Sequence, residues 1–242
     1  MRFESYSQHM EDLILYCALK DIIIPGEGFY IDVGANDPTV DSVTKSFYDR
    51  GWHGINIEPL TDVCALLSEM RPRDINLCIG VGNKHGEMNF YESDARSTFS
   101  EEEAGLNPKI FEKSSKSKKS IWTLSEVFEK YCDSKQDIHF CKIDVEGYEK
   151  EVLEGIQDWS KFRPWIFAIE STLPGTTIPC HEKWENLLLE NGYMLAHEFK
   201  INRYYIDTDK KYLLEGFKNI MPFIRQNHIV VLKMAKKYED LK

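Results

Sequence analysis

Short apolar runs alternate along the chain with segments in which apolar residues recur every three or four positions. The runs are rich in aromatic and β-branched residues, as buried strands are, whereas the periodic segments are typical of amphipathic helices. The strand-like runs are Phe29–Val33, Ile55–Ile57, Ile75–Val81, Ile138–Ile143 and Trp165–Ile169. This alternation predicts an α/β fold with a mostly parallel sheet and helices on both of its faces.

The two ends of the chain add further elements. Ser5 and Gln8 have the spacing of a capping box, which predicts an N-terminal helix over 5–20. Tyr193–Phe199 and Arg203–Ile206 follow each other closely, so we expect them to pair as antiparallel strands.

No internal repeat or linker divides the sequence, so we expect one domain over 1–242. Its core spans about 28–207 after the N-terminal helix, and 208–242 form a C-terminal extension. Within this extension, Ile229–Leu232 fits either a strand or a helix.

A polar stretch, 92–120, interrupts the pattern and ends in a run of Lys and Ser. It fits a solvated loop, and it also fits a lid or acceptor-binding loop, because long loops in compact domains are often functional. A capping box at Thr123–Glu126 then predicts the start of the next helix.

Acidic residues close four of the predicted parallel strands. Asp32 (with Asp37 nearby), Glu58, Asp144 and Glu170 each follow an apolar run. Because parallel strands end at one edge of a sheet, these carboxylates are predicted to share the crevice where α/β proteins bind ligands.

The turn after the first of these strands indicates which ligand binds. Gly34 and Ala35 are small enough for a ligand to approach, but the G-x-G-x-x-G pattern of NAD sites is missing. Nearby carboxylates would repel a pyrophosphate, whereas a zwitterionic amino-acid cofactor with a ribose tolerates them. Glu58 is suitably spaced to accept hydrogen bonds from ribose hydroxyls, which favours S-adenosylmethionine.

Charge, cysteine content and hydrophobicity limit the partners and the cellular location that we expect. Lys and Arg number 30 against 40 Asp and Glu, and this net charge of −10 disfavours nucleic acid as a partner. The six cysteines are scattered without a C-x-x-C pair, which disfavours zinc and disulfides. No apolar run is long enough to span a bilayer and the N-terminus lacks a signal-peptide pattern, so we expect a cytoplasmic protein.

Several spaced motifs resemble those of the FkbM-type methyltransferases. They are, in chain order, Tyr6-Ser7-Gln8-x-x-Glu11-Asp12-Leu13, Phe29-Tyr30-Ile31-Asp32-Val33-Gly34-Ala35-Asn36-Asp37, Gly51-Trp52-x-Gly54-Ile55-Asn56-Ile57-Glu58-Pro59, Lys142-Ile143-Asp144-Val145-Glu146-Gly147-Tyr148-Glu149 and Asn202-Arg203-Tyr204-Tyr205. The resemblance implies a class I, Rossmann-like methyltransferase fold with seven strands, of which the last is antiparallel. Leu106–Ser120 and the tail after Lys210 match the pattern least.

The resemblance also implies roles for individual residues. The cofactor-binding set is Gln8, Asp32, Gly34, Ala35, Asn36, Asp37, Glu58, Pro59, Val81, Gly82 and Asp144, with Glu58 at the ribose and Val81 and Gly82 beside the adenine. Asp144, Glu146 and Glu170 are the candidate catalytic bases. Asp144 and Glu170 also resemble a Mg²⁺-binding pair, although Glu170 equally fits a strand cap.

Three further residues are candidates for binding the substrate. Lys142 fits either an acceptor contact or a pair with a neighbouring acid, and Asn202 and Arg203 fit either acceptor binding or the loop between the last strands.

The sequence therefore predicts an S-adenosylmethionine-dependent O-methyltransferase. Its acceptor is expected to be a hydroxyl, of a sugar in a surface glycan or of a natural product, an expectation that comes from the resemblance. Two alternatives stay open: a methyltransferase for a non-sugar small molecule, lipid or protein side chain, and a non-catalytic cofactor-binding partner of a glycosyltransferase.

Overall fold

The fold is given by a computed structural model that describes residues 2–22, 26–93, 97–106 and 116–232. Its strands are β1 (Arg2–Ser5), β2 (Phe29–Val33), β3 (His53–Ile57), β4 (Ile75–Leu77), β5 (Gly80–Val81), β6 (Gly86–Tyr91), β7 (Lys116–Trp122), β8 (Phe140–Ile143), β9 (Ile166–Glu170), β10 (Tyr193–Phe199), β11 (Asn202–Asp207) and β12 (His228–Val231). Its α-helices are α1 (Glu11–Leu19), α2 (Lys45–Tyr48), α3 (Thr61–Met70), α4 (Glu101–Leu106), α5 (Leu124–Tyr131), α6 (Glu149–Glu154), α7 (Glu185–Glu190), α8 (Leu214–Lys218) and α9 (Ile220–Gln226).

Within these ranges a seven-stranded sheet has the order β4-β3-β2-β8-β9-β11-β10. The strands from β4 to β9 are parallel, and β11 runs antiparallel to both of its neighbours. The predicted α/β class, with its parallel sheet and antiparallel last strand, is confirmed. The chain moves outward in opposite directions from β2 and β8, so the ligand crevice is expected between their carboxyl ends.

The two faces of the central strand β2 pack into two different cores. Phe29, Ile31 and Val33 join a cluster that includes residues of α5, α6 and α7. Tyr30 joins the opposite cluster, with residues of α1, α2 and α8. Because side chains alternate across a strand, helices on both faces bury the whole of β2 and fix its register.

Two elements beside the main sheet differ from the prediction. The run Ile75–Val81 is not one strand: β4 stays in the main sheet, whereas β5 pairs with β7 in a separate three-stranded sheet. The segment Lys116–Ser120, predicted as loop, belongs to β7, which pairs along its length with β6. Strand pairing between distant segments decides both outcomes, and the middle of the predicted loop, 107–115, lies outside the described residues.

The N-terminus also corrects the prediction, because the helix begins at Glu11 and not at residue 5. Ser5 lies in β1, which pairs parallel with β12, so Ile229–Leu232 contributes a strand. The hydroxyls of Ser5 and Ser7 donate to the buried carboxylate of Asp12 at 2.7 and 2.8 Å. Ser5 thus binds a buried acid, and no capping box forms there.

The predicted capping box at Thr123–Glu126 is confirmed, since Thr123 and Glu126 each bond the other's backbone N–H at the start of α5. The described part of the C-terminal extension, up to 232, packs α8 and α9 against α1. Among the described residues, no helix is both long and apolar enough to cross a membrane.

The contact between α1 and α8 depends on Gly216. A Cβ atom there would lie 2.4 Å from the Cα of Ala18 and 2.5 Å from the carbonyl oxygen of Cys17, which is closer than atoms pack. Two backbones therefore approach each other at this point, and no larger residue fits without moving a helix.

We predict that Gly216→Ala lowers the free energy of unfolding by about 2 kcal/mol or more, as overpacking in a core does. Urea denaturation measures this loss. Gly105→Ala is the matched control, because Gly105 lies in α4 with nothing within 4 Å of its added Cβ. Equal stabilities for the two variants would contradict the assigned contact.

Candidate active site

A cleft opens at the carboxyl ends of β2, β3 and β8. Its apolar wall includes Ile79, Val81, Phe90 and Phe99, and the turn after β2 forms its floor. The unfilled space, open mouth included, is about 1350 Å³. The cleft lies where the strand order reverses, which is the usual position of a ligand in an open α/β sheet.

The turn after β2 passes closely over the end of β8. Gly34 has φ of +75°, and a Cβ atom there would lie 2.0 Å from the carbonyl oxygen of Asp144. The N–H groups of Gly34 and Ala35 both donate to the carbonyl of Ile57, at 3.0 and 3.1 Å. Glycine is therefore required both by the left-handed backbone and by the lack of space.

Glu58 holds two turns of the cleft in place. One carboxylate oxygen accepts from the N–H of Asn36 at 2.9 Å, and the other accepts from the N–H of Leu60 at 2.8 Å. Asn36 has φ of +50°, a conformation that Asn tolerates better than most residues. Burial raises the pKa of Glu58 above its ordinary value, and the two N–H donors oppose that rise.

Lys142 lies beneath the turn and connects it to β8. Its Nζ atom donates to the carbonyl of Gly34 at 2.6 Å and lies 3.3 Å from Asp32 and 3.6 Å from Asp144. Burial lowers the pKa of Lys142, but the two carboxylates outweigh it and the pKa rises above the usual range. Lys142 is thus a charged lysine, and all three contacts are with the protein itself.

Asp144 and Glu170 form a carboxyl pair with unequal surroundings. The Asp144 side chain is 40% exposed, whereas Glu170 is 6% exposed. Burial, followed by the charges of Asp144, Glu149 and Glu146, raises the pKa of Glu170 far above its ordinary value, and a hydrogen bond to Asp144 adds to the rise. Glu170 is therefore protonated at neutral pH, and Asp144 is the member of the pair that reaches the cleft.

Comparison with known protein families places this cleft in context. Residues 32–195 match the family model described as the Methyltransferase FkbM domain. The chain belongs to this family. The match runs from Asp32, near the end of β2, into β10. It therefore includes the turn after β2 and the residues that follow β3 and β8.

A solved structure also resembles this FkbM methyltransferase domain. It is the crystal structure of Methyltransferase FkbM from Methylobacillus flagellatus KT, with 15% identity and a TM-score of 0.48. The alignment covers 81% of this chain and 47% of that one, so the chain spans about half the length of that protein. Comparison with curated proteins gave no match.

Most of the sequence-predicted site residues of this FkbM domain line the cleft. They are Gln8, Gly34, Ala35, Asn36, Glu58, Pro59, Val81, Lys142, Asp144, Glu146 and Asn202. The side-chain amide of Asn202 donates to Glu11 at 2.8 Å, which closes the wall between β11 and α1.

Five predicted residues do not line the cleft. Asp32 is buried below the turn and accepts from the hydroxyl of Thr44 at 3.1 Å, and Asp37 accepts from two N–H groups of its own turn. Arg203 forms ion pairs with Glu185 and Glu198. Gly82 packs near Ile121 and Tyr148, and Glu170 lies behind Asp144.

The cleft also contains residues that the sequence analysis did not assign. Glu11 and Asp41 bring two further carboxylates, and Phe90 and Phe99 form most of the aromatic wall. Glu11 belongs to the N-terminal motif of the family resemblance, so that motif could have identified it as a site residue. The ring centroids of Phe90 and Phe99 are 4.5 Å apart. No sequence motif predicted this pair, because strand pairing brings it to the site.

A magnesium site at Asp144 and Glu170 is not supported. Within the described ranges, no group of three or more His, Cys, Asp or Glu residues is arranged to hold a metal ion.

We predict that Glu170→Gln stabilises the protein, and that it does so more at high pH. Because the folded-state pKa of Glu170 is raised from 4.5, the unfolded chain ionises first as the pH rises above that value, and the wild type loses stability. Glutamine stays neutral at every pH, so the gain should exceed about 1 kcal/mol at pH 8 and shrink towards pH 5.

Urea denaturation at the two pH values measures this difference. Glu190→Gln, at an exposed position in α7, is the control and should give no pH-dependent gain. A Glu170→Gln variant less stable than the wild type at pH 8 would contradict a neutral Glu170.

Proposed function

We propose that the protein is an S-adenosylmethionine-dependent O-methyltransferase that methylates a hydroxyl group, of a sugar in a glycan or of a natural product. The observation that carries the proposal is the contact of the Gly34 turn with the backbone of Asp144. This contact brings the turn after β2 next to Asp144, which supports a nucleoside cofactor held at the turn and an acceptor beside the Asp144 carboxylate.

The residues of the cleft fit this cofactor. Glu58 uses two of its roughly four acceptor positions on N–H groups, which leaves acceptor capacity for ribose hydroxyls. Val81, Phe90 and Phe99 offer an apolar surface for the adenine, and Asn36 lies where the amino-acid end would be held. Carboxylates around the turn suit an ammonium group and disfavour the pyrophosphate of NAD.

When bound, the cofactor supplies a methyl group that is already activated as a sulfonium, so alignment provides much of the rate. The protein has to orient the acceptor and remove its proton. Asp144 is the exposed carboxylate at this position, and Lys142 at 3.6 Å and the protonated Glu170 orient it. We assign Asp144 as the group that receives the hydroxyl proton.

The charges of the cleft favour a neutral acceptor. Glu11, Asp41, Glu58, Asp144 and Glu146 all line it, and Lys142 is engaged by Asp32 and Asp144. An acceptor with a phosphate or carboxylate beside the reacting oxygen would lose water from that anion and bring it close to these acids, which is unfavourable. Sugar hydroxyls, in contrast, donate hydrogen bonds to carboxylates. This supports a polyhydroxyl acceptor.

We predict that S-adenosylhomocysteine binds with a micromolar dissociation constant, on the order of −8 kcal/mol. Glu58→Ala should weaken this binding about tenfold or more, because it removes the acceptor of two N–H groups as well as a ribose contact. Isothermal titration calorimetry measures both values. Glu69→Ala, exposed on α3, should bind as the wild type does, and no detectable binding by folded wild-type protein would overturn the cofactor assignment.

We predict that Asp144→Asn reduces turnover about 100-fold or more, as loss of a general base does, while cofactor affinity changes little. The assay is transfer of labelled methyl from S-adenosylmethionine into a crude glycan extract. Asp21→Asn, at an exposed ion pair, is the control. Full turnover by Asp144→Asn would refute the catalytic assignment, and cofactor binding without any transfer would favour a non-catalytic partner of a glycosyltransferase.

A further inference from the structure

Glu149 is a buried carboxyl group that the proposed reaction does not use directly. It opens α6, is 3% exposed, and lies five residues after Asp144. One of its oxygens accepts from the N–H groups of Val145 and Gly147, both at 3.2 Å. Asp144 and Glu146 lie in the loop between β8 and α6. The Glu149 carboxyl group therefore ties this loop to the start of α6.

This loop needs an external support, because its backbone is in an uncommon conformation. Glu146 has φ of +54° and Gly147 has φ of +91°, so two consecutive residues are left-handed. A non-glycine residue in that region is strained and persists only where the surroundings impose the conformation. From the other side, the hydroxyl of Thr98 donates to the carbonyl of Glu146 at 2.9 Å.

The surroundings of Glu149 make its charge expensive to bury. Asp144 and Glu170, at the ends of β8 and β9, and the thiol of Cys180 lie within electrostatic range, and Cys180 in turn faces Lys183 and Glu103. Burial, opposed by the N–H donors and helped by Asp144, raises the pKa of Glu149 to about 7. Its ionisation therefore falls in the range where the protein is expected to work.

We infer that Glu149 is a positioning residue of the methyl-transfer site: its carboxylate fixes the left-handed loop and thereby aims Asp144 and Glu146 at the acceptor. This inference rests on the proposed function for its catalytic consequence, but not for the contact itself. As the pH falls and Glu149 gains a proton, the two N–H contacts weaken and the loop loosens. Ionisation of a group that never meets the acceptor would thus limit turnover at acidic pH.

The test compares the wild type with Glu149→Gln, which keeps an acceptor oxygen without the charge, and Glu149→Ala, which removes both. Glu154→Gln is the matched control, because Glu154 lies on the same helix but is exposed. The first readout is the amide NMR signals of Val145 and Gly147 as a function of pH. In the wild type and the control both signals should shift with a midpoint near pH 7, the pKa of Glu149, and in Glu149→Gln this titration should vanish.

The second readout is labelled methyl transfer into a glycan extract. Glu149→Ala should lower kcat about 10- to 100-fold, the range expected for a small misplacement of catalytic groups, with S-adenosylhomocysteine affinity unchanged. Glu149→Gln, which is uncharged at every pH, should turn over faster than Glu149→Ala but, at neutral pH, only at the reduced rate that the wild type shows in acid. Its rate should therefore lack the part of the acidic fall that Glu149 causes. Thermal unfolding of each variant checks that it is folded.

The outcomes separate the two claims. Titration of the two amides that persists in Glu149→Gln, or full turnover by folded Glu149→Ala, overturns the positioning role. A wild type that shows the amide titration but neither binds cofactor nor transfers methyl overturns the proposed function, and leaves the contact between Glu149 and the loop established.

Discussion

The cleft depends on one buried cation. Lys142 stands on β8 directly opposite Asp32 on β2, and its Nζ atom contacts the carbonyl of Gly34 and the carboxylates of Asp32 and Asp144. A single charge thereby joins the turn after one strand to the acid after its neighbour. Without it, the buried carboxylate of Asp32 would lie beside a carbonyl and a second carboxylate with no cation to offset its charge, which is a costly arrangement.

Carboxylates in this protein act largely as acceptors for backbone N–H groups. Glu58 holds the turns after β2 and β3, Glu149 holds the loop after β8, and Asp12 accepts from Tyr6 and Leu13 at the start of α1. Each lies where the chain leaves a regular element and its N–H groups lack partners. Because an unpaired buried N–H is expensive, each acid fixes its turn in one conformation. The acidic character of the cleft is thus in part a consequence of how its loops are built.

Residue pattern alone predicted the parts of the fold that depend on local periodicity and burial. The central strands, the capping box at Thr123 and the antiparallel pair after Tyr193 follow from such patterns, as does the gathering of Asp144 and Glu58 at one edge. Several of the failures involve partners that are distant in sequence. The break between β4 and β5 and the strand at Lys116 depend on pairing with β7 and β6, and the role of Lys142 depends on its lying opposite Asp32 across the sheet.

The parallel pairing of β1 with β12 bears on how the protein is made. During synthesis, β1 leaves the ribosome before the other described strands and must wait for nearly the whole described chain before His228–Val231 is available to pair with it. The same delay applies to α1, which packs on α8 and supplies Glu11 to the cleft wall. Asn202 reaches Glu11 across 191 positions of sequence. The part of the cleft wall that Asn202 and Glu11 form is therefore complete only when both ends of the described fold have met.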